Sequence, residues 1–277
     1  MSAVPPAAPV VASNPKIQRL RRLIGRRSSR YDEGVVVAEG PNALAALLDQ
    51  RPIPAVETVF VGEDANPRLR QLAEVCEGAG ATRVTVVAGV LAKVLSTENA
   101  QPLAAIVSWA PTVLADVLAV PSEGGNTMLV VLDQVADPGN LGTIIRSAAA
   151  AGAHAVVLTA GSVDPGNPKV VRSSAGALFA VPIVLAGPLS EILEPIHRVG
   201  IEVLALRGDG AMSIDDVDLV GPVAFLLGNE AHGLAADPQA SPVRAVFVPM
   251  APGVESLNVA MAATIAVFEC SRQRRAR

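Results

Sequence analysis

Two short apolar runs near the carboxyl end of the sequence constrain its fold most strongly, because each leads directly into a polar or Gly/Pro-rich cluster. The first, Val223 to Leu227, is followed by Gly228, and the second, Arg244 to Val248, is followed by Pro249. Apolar runs of this length, bounded by turn residues, are typical of buried strands in an α/β sheet. In open α/β sheets the ligand crevice lies outside the carboxyl ends of the strands. The two clusters therefore predict a small-molecule site built from two neighbouring loops.

The rest of the chain alternates between strand and helix patterns, which predicts an α/β fold throughout. The interval 111–126 contains two prolines and a Ser-Glu-Gly-Gly-Asn run. We interpret it as a linker, although a surface loop inside one domain would have the same composition. The opening residues have no basic segment and are interrupted by prolines, which indicates a disordered tail rather than a signal peptide. The predicted organisation is a tail (1–13), a small α/β domain (14–110), the linker (111–126) and a second α/β domain (127–277).

The amino-acid composition argues for a globular protein and against a membrane, disulfide-rich or metal-binding one. Of 277 residues, 51% are hydrophobic and only 3% aromatic, which predicts a large aliphatic core. The longest apolar runs are too short to span a bilayer, so no membrane association is expected. Two cysteines, Cys76 and Cys270, and three scattered histidines argue against a disulfide framework and against a metal site. We expect both thiols to be buried or half-buried in a cytoplasmic protein.

Charge is distributed unevenly although the net charge is only −4. Seven basic residues and no acidic one lie between Lys16 and Arg30, and four more arginines lie in the last six residues. Clustered arginine is typical of proteins that bind a polyanion, and two such runs favour nucleic acid. A solvated helix face or a basic tail would have the same composition. A further basic cluster near a predicted helix start suits phosphate contact, but a plain capped helix explains it equally well. The candidate RNA-binding residues from these clusters are Arg19, Arg22, Arg26, Arg27, Lys169 and Arg172.

The first of three motifs runs from Asn140 to Arg146, at a predicted loop-to-helix junction. Asn140 could act simply as a helix cap. Arg146 lies among Ile, Ala and Ser in a helix expected to pack on the sheet, and arginines in such places usually have an anionic partner. Arg146 is therefore the stronger functional candidate.

The second motif runs from Gly228 to Leu234 and contains two glycines that allow close backbone approach and positive φ. The third contains Ser256, Leu257 and Asn258 before the last helix, and either polar residue could simply cap that helix. The helix is predicted from about Ser256 to beyond Glu269, and its apolar residues keep helical spacing at Leu257, Met261, Ile265 and Phe268. Neither a G-x-G-x-x-G turn nor a phosphate-binding P-loop is present, which disfavours a dinucleotide-binding protein or a nucleotide hydrolase.

Taken in order, N-x-G-x-x-x-R, G-x-E-x-x-G-L and P-M followed by S-L-N resemble the three signatures of the SpoU (TrmH) ribose methyltransferases of the SPOUT superfamily. The resemblance covers 127–277, and 14–110 is similar to the substrate-binding domain that many rRNA enzymes of this family carry. It implies a C-terminal SPOUT domain with a deep trefoil knot, preceded by a small α/β RNA-binding domain. It also implies a homodimer whose active site takes residues from both subunits.

The same resemblance implies S-adenosylmethionine as cofactor and transfer of its methyl group to a ribose 2′-hydroxyl, with 23S rRNA as the expected substrate. A tRNA 2′-O-methyltransferase, a resistance methyltransferase and a non-catalytic ribosome-assembly factor of the same fold are the alternatives. Arg146 would act as the base or, given the high pKa of guanidinium, would clamp a phosphate and stabilise charge on the 2′-oxygen. Asn140 and Asn258 would orient the hydroxyl and the arginine, and Glu230 would hold Arg146 or its own loop. The implied cofactor-binding residues are Leu206, Gly228, Val248, Met250, Ser256 and Leu257.

Overall fold

The computed structural model describes residues 8–120, 126–229, 234, 243–254 and 256–277. These residues form two compact units. Unit 1 comprises Met1–Ala110 and Gly166–Phe179, and unit 2 comprises Pro111–Pro165 and Ala180–Arg277, within the described ranges. Gly166–Phe179 groups with unit 1 although it lies inside the predicted second domain. The predicted domain boundaries therefore stay a prediction.

Strands and helices alternate along the described chain, as the sequence predicts. The strands are β1 (Val35–Glu39), β2 (Val56–Gly62), β3 (Thr82–Val86), β4 (Leu103–Ser108), β5 (Met128–Leu132), β6 (Ala155–Leu158), β7 (Ile183–Leu185), β8 (Glu202–Leu206), β9 (Met212–Ser213), β10 (Val223–Leu227) and β11 (Val243–Phe247). The α-helices are α1 (Pro15–Gly25), α2 (Arg27–Glu33), α3 (Gly40–Leu48), α4 (Pro67–Gly78), α5 (Leu114–Ala119), α6 (Pro138–Ala151), α7 (Pro168–Ser173), α8 (Leu189–Arg198) and α9 (Val259–Arg275).

Unit 1 contains a four-stranded sheet in the order β1-β4-β2-β3. Strand β4 is antiparallel to both neighbours, and β2 and β3 are parallel. Helix α1 starts as predicted, with the Asn14 side chain accepting a hydrogen bond from the Lys16 N–H. The predicted disorder of 1–13 is wrong at Val10, whose backbone bonds to Thr85 and Val87. Strand β3 lies at the sheet edge, where unpaired backbone groups accept such an addition.

Unit 2 contains a seven-stranded sheet in the order β7-β6-β5-β10-β8-β11-β9, and every neighbouring pair is parallel. Strands β5 and β10 are buried along their whole length, as expected for central strands covered on both faces. All seven strands therefore place their carboxyl ends along one edge of the sheet, and the loops that follow β8, β10 and β11 are neighbours there.

The structure differs from the sequence prediction in several elements. The predicted linker contains α5, whose Leu114, Val117 and Leu118 pack against the core of unit 2. Helix α2 has no counterpart in the prediction. Helix α7 ends at Ser173 rather than near 177, because the next turn contains two positive φ angles, 48° at Ala175 and 85° at Gly176. Helix α8 runs through Pro195 without the predicted break.

Helix α9 presents two different apolar faces. Its small buried residues face inward, and the helix packs against α6, where the hydroxyls of Ser147 and Thr264 are 2.7 Å apart. The predicted apolar stripe keeps its spacing but lies outward, with Met261, Ile265 and Phe268 exposed by 48%, 39% and 41%. The buried residues of α9 are Ala260, Ala263, Ala266, Val267 and Cys270.

Candidate functional site

A cavity of about 640 Å³ lies at the carboxyl edge of the parallel sheet in unit 2. Its walls come from the loops after β8, β10 and β11 and from the start of α9. All six residues predicted to bind the cofactor line this cavity: Leu206, Gly228, Val248, Met250, Ser256 and Leu257. The two loops predicted to form a common site therefore lie together, and a third loop joins them.

The loop after β8 is the part of the cavity that the sequence analysis missed. Arg207, Gly208 and Asp209 line it. The Arg207 guanidinium donates two hydrogen bonds of 2.8 Å to the Asp209 carboxylate, and this contact holds the pKa of Asp209 below its ordinary value. Charged residues beside a glycine have the composition of an ordinary surface turn, so the sequence did not mark them as part of the site. Their position could have done so, since this turn follows a buried strand just as the other two loops do.

A close approach of backbones fixes the β8 loop against β11. The Arg207 N–H donates to the Val246 carbonyl at 2.9 Å. A Cβ added at Gly210 would lie 2.6 Å from the Val246 carbonyl carbon, so only glycine fits without a shift. The cavity wall at Arg207–Asp209 therefore rests on a tight backbone contact.

The floor of the cavity also includes Asn258, which contacts Asn140. Its Oδ1 accepts hydrogen bonds from the N–H groups of Ala260 (2.9 Å) and Met261 (3.3 Å), so Asn258 is the N-cap of α9. The cap fixes the orientation of the amide and leaves Nδ2 to donate to Asn140 Oδ1 at 3.0 Å. Asn258 is thus both a helix cap and a contact to a second motif.

Asn140 is not the N-cap of α6. That position belongs to Asp137, whose Oδ1 accepts a hydrogen bond of 2.8 Å from the Asn140 N–H. Asn140 lies in the first turn of the helix, and its side-chain oxygen faces Asn258. The capping explanation for Asn140 is therefore wrong, because Asp137 already satisfies the helix terminus.

Arg146 lies apart from the cavity in the described part of the chain. It is exposed on α6, it does not line the cavity, and it makes no hydrogen bond or ion pair with a described residue. Six residues along an α-helix correspond to a rotation of about 240° and a rise of about 9 Å from Asn140. Glu230, its expected partner, lies outside the described residues. The described part of the chain therefore brings together Asn140, Asn258 and the residues predicted to bind the cofactor, but not Arg146.

The loop after β5 is hydrogen-bonded to the loop after β10. The Asn229 side chain donates to the Gln134 carbonyl at 2.8 Å, and the Gln134 N–H donates to the Thr159 hydroxyl at 3.0 Å. Gln134 has a positive φ of 56°. Thr159 in turn donates to the buried Asp133 at 2.8 Å. These bonds connect the loop that leads into α6, which carries the first motif, to the loop in which the second motif begins.

Three of the six predicted RNA-binding residues are engaged within unit 1. Arg19 is paired with Glu33 and Glu57, and Arg22 is paired with Glu33. The hydrogen bond from Arg19 holds the pKa of Glu57 below its ordinary value. Arg172 is paired at 3.2 Å with a buried carboxylate in β1. The other three, Arg26, Arg27 and Lys169, have exposed side chains.

The C-terminal arginines also make contacts within their own unit. Arg272 is paired with Glu269 at 2.7 Å, and Arg277 with Asp218 at 3.4 Å. Arg274 donates to the carbonyls of Asn126, Thr127, Leu219 and Gly221. Much of this basic run is thus used to hold the end of α9 in place.

Within the ranges that the structure describes, no group of three His, Cys, Asp or Glu side chains is placed to hold a metal ion. No helix in the described part of the chain is long and apolar enough to cross a membrane.

The parallel sheet, with a cavity at its carboxyl edge that the C-terminal helix closes, defines the class: an α/β protein with a candidate small-molecule site. Comparison with known proteins gives the family. Residues 127–268 match the model of the SpoU rRNA Methylase family. The chain is 34% identical over 239 residues to the 23S rRNA (guanosine-2′-O-)-methyltransferase RlmB of Xanthomonas axonopodis pv. citri. The matched region covers 85% of this chain and 95% of that protein. The chain belongs to the SpoU rRNA methylase family.

Solved structures agree with this assignment. The SpoU methyltransferase AviRb from Streptomyces viridochromogenes has a TM-score of 0.81 at 26% identity, covering 95% of this chain and 98% of its own. The AdoMet-bound rRNA methyltransferase from Sinorhizobium meliloti has a TM-score of 0.78 at 30% identity, covering 94% and 95%. The family and the α/β SPOUT fold inferred from the three motifs are confirmed. The trefoil knot stays a prediction.

Proposed function

We propose that this chain transfers a methyl group from S-adenosylmethionine to a ribose 2′-hydroxyl of RNA, with 23S rRNA as its substrate. One observation carries the proposal: six residues chosen from motifs far apart in sequence line one cavity, and that cavity also contains Asn258, which contacts Asn140. The RlmB relative supports the choice of substrate, since its name specifies 23S rRNA and a guanosine 2′-oxygen.

The residues of the cavity fit S-adenosylmethionine. A volume of about 640 Å³ falls within the range of about 300–1,000 Å³ that small-molecule sites occupy. Leu206, Val248 and Leu257 supply apolar surface for a purine ring, and Arg207 and Asp209 supply opposite charges for a ligand that carries both an ammonium and a carboxylate. When bound, S-adenosylmethionine supplies an electrophilic methyl group on a sulfonium.

The two asparagines are proposed to hold the ribose hydroxyl in line with the donor. Asn258 is fixed by its cap to α9 and Asn140 by its place in α6, so the pair is rigid before substrate arrives. Preorganised alignment of this kind contributes several kcal/mol to a displacement. A guanidinium is a poor general base, so the proposed role of Arg146 is to hold the flanking phosphate and stabilise charge on the 2′-oxygen. Glu230 is proposed to hold Arg146 or its own loop.

We further propose that the active enzyme is a homodimer whose sites take residues from both subunits. Arg146 does not line the cavity of its own protomer. The outward stripe of Met261, Ile265 and Phe268 on α9 lies on the helix that packs against α6, which carries Arg146. Exposed apolar stripes of this kind mark protein interfaces. A second copy covering the stripe would bring its own α6, and with it Arg146, towards the cavity.

Residues 14–110 are proposed as the RNA substrate-binding domain and 127–277 as the methyltransferase domain. Exposed basic residues in unit 1 support this, as does the match of 127–268 to the family model. An activity on ribosomal RNA would place the protein in the cytoplasm. A tRNA substrate is the alternative that the same experiments resolve.

The central test combines methyl incorporation with cofactor affinity. Purified protein is given tritiated S-adenosylmethionine and ribosomal or transfer RNA from cells that lack the protein, and the product is mapped by mass spectrometry. We expect label in 23S rRNA on a ribose. Arg146→Ala should abolish incorporation while calorimetry shows unchanged cofactor affinity. Arg198→Ala, an exposed arginine on α8, serves as the matched control. Cofactor binding without label in any RNA would favour a non-catalytic assembly factor.

The composite site has its own test. Light scattering should give twice the mass of the chain, and Ile265→Asp, which places a charge in the stripe, should give the single mass. Mixing Arg146→Ala protomers with protomers whose cavity is blocked by Gly228→Val should restore activity that neither variant has alone. No recovery on mixing would contradict a site shared between subunits.

A further inference from the structure

The only tryptophan and the only tyrosine of this chain contact each other. The rings of Tyr31 and Trp109 meet edge to face, with centroids 6.3 Å apart and planes at 72°. Both are half-buried at the surface of unit 1, whereas large phenylalanines such as Phe60 and Phe225 are fully buried. In a chain with 3% aromatic residues, this pair is not filling the core.

An arginine completes the cluster. The Arg27 guanidinium lies over the Tyr31 ring at 5.2 Å from its centroid. Arg27 is exposed and makes no ion pair with a described residue, and the same is true of Arg26 before it. A guanidinium held against an aromatic face keeps its charge and presents a flat outer surface.

The contrast with two arginines of α1 shows that Arg26 and Arg27 remain available for a phosphate. Arg19 and Arg22 are neutralised by Glu33 and Glu57, so they offer little to a phosphate. The exposed carboxylate of α2, Asp32, is rotated by about 140° from Arg27 around the helix axis. The uncompensated charge of Arg27 therefore lies on the side of α2 that carries Tyr31.

The backbone holds this cluster rigidly. Gly34 caps the carboxyl end of α2 with a positive φ of 64°, and the Trp109 N–H donates to the Gly34 carbonyl at 2.9 Å. The residues that follow pair in register, Val35 with Ser108. Both rings thus lie at a fixed junction between α2, β1 and β4, which lowers the entropy lost when a ligand stacks there.

We propose that Arg27, Tyr31 and Trp109 form a stacking platform for an unpaired base of the substrate RNA, with Arg26 contacting the neighbouring phosphate. Sequence-specific recognition of RNA targets splayed bases that stack on aromatic rings or guanidinium planes. Aromatic rings next to uncompensated arginines fit a single strand better than a duplex, whose bases are stacked on each other. The platform rests on the proposed RNA substrate and assigns to unit 1 the part that meets an unpaired nucleotide.

The fluorescence of Trp109 reports directly on binding at the platform, because no other tryptophan contributes to the emission. The full chain, without cofactor, is titrated with a single-stranded oligoribonucleotide of about 12 nucleotides, a length within the usual site size. The same strand annealed to its complement is the comparison. We expect saturable quenching of Trp109 by the single strand and little by the duplex. Equal quenching by both, or by neither, overturns the platform; the latter is the result expected if this patch binds a protein.

Variants separate stacking from charge. Tyr31→Leu should weaken single-strand binding about 5- to 150-fold, as loss of base stacking does, with an unchanged dependence on salt. Arg27→Gln should also weaken binding and should lower the salt slope by about 0.7. Tyr31→Phe keeps the ring and should bind like the wild type. Arg68→Gln removes an exposed charge from α4 of the same unit and should change affinity by less than about twofold. Wild-type affinity in Tyr31→Leu would refute the stacking role.

Circular dichroism melts check that each variant folds. If Tyr31→Leu does not fold, the wild-type titration and Arg27→Gln still decide the matter. Methyl incorporation and cofactor calorimetry on the same proteins separate the two proposals. If only the platform is wrong, Tyr31→Leu methylates RNA with wild-type KM. If only the methyl transfer is wrong, the wild type shows quenching but neither binds S-adenosylmethionine nor labels RNA.

Discussion

Arg172→Ala should destabilise unit 1, because Arg172 is the cation paired with a buried carboxylate. Glu39 is 4% exposed. One of its oxygens accepts hydrogen bonds from Arg172 Nη1 at 3.2 Å, Ser96 Oγ at 2.9 Å and Thr97 Oγ1 at 3.1 Å, and the other accepts from the Ser96 N–H at 3.1 Å. A residue chosen as an RNA contact is therefore expected to act mainly in stability.

The structure sets the size of the effect. Removing one partner of a fully buried pair costs about 3–5 kcal/mol. The Arg172 side chain is 34% exposed, and Glu39 keeps its hydroxyl and N–H donors, so water and these donors replace part of the lost contact. We expect a loss of about 1–3 kcal/mol in the free energy of unfolding, against about 0.5 kcal/mol or less for an exposed arginine. Glu39→Gln in the Arg172→Ala background should recover part of the loss, since a neutral amide needs no cation.

Denaturant titration of the full chain without cofactor measures these values. Arg68→Ala in α4 is the control, since its side chain is exposed in the same unit. RNA affinity is measured in parallel as a function of salt. A variant as stable as the wild type, with a salt slope lowered by about 0.7, would refute the structural role and restore Arg172 as a phosphate contact.

Three further predictions concern unit 2 and the cysteines. Gly210→Ala should cost about 1–3 kcal/mol of stability and weaken cofactor affinity, because its Cβ would meet the β11 backbone at 2.6 Å. Gly221→Ala, with nothing within 4 Å, should be tolerated, and equal melting temperatures for the two variants would contradict the contact. Asn258→Asp keeps the helix cap but loses the donor to its partner asparagine, so stability should change by less than about 0.5 kcal/mol while methyl incorporation falls; full activity would make the donor dispensable. Burial raises the pKa of Cys76 and of Cys270 to about 11, so a thiol reagent at about pH 8 should react slowly until the chain unfolds. Unfolded thiols ionise near pH 8.5, so the stability linked to the two buried thiols is fully present below that pH and is lost as pH rises towards about 11. Denaturant titrations at about pH 7 and pH 10 measure this loss of stability. Cys→Ala variants should lessen it.

The sequence predicted the positions of the strands because buried parallel strands are continuous apolar runs that end at turn residues. The same rule placed the loops after β10 and β11 at one site. It did not find Arg207 and Asp209, since the charges there pair with each other and their turn has the composition of a solvated loop. Leu206, the last residue of β8, was assigned through the family resemblance and not through the strand. Position at a strand end was thus a better guide than side-chain chemistry.

The pairing of basic residues could not be predicted, because it depends on contacts between distant parts of the chain. Arg19 meets Glu57, which is 38 residues away, and Arg172 meets Glu39 at a separation of 133. A charge run identifies cations without saying which are already neutralised. Only the fold shows that Arg26 and Arg27 remain uncompensated while Arg19 and Arg22 on α1 do not.

Helix α9 shows why periodicity alone does not give orientation. Both of its faces are apolar, and the larger side chains, which would ordinarily be placed in the core, lie outward. The buried face is made of small residues, chiefly alanine, so α9 can approach α6 closely, and large side chains there would force the helices apart. Three large apolar side chains exposed on a helix that also closes the cavity call for a covering surface. The proposed homodimer would cover them and would bring the α6 that carries Arg146, so it would explain both the orientation of α9 and the isolation of Arg146.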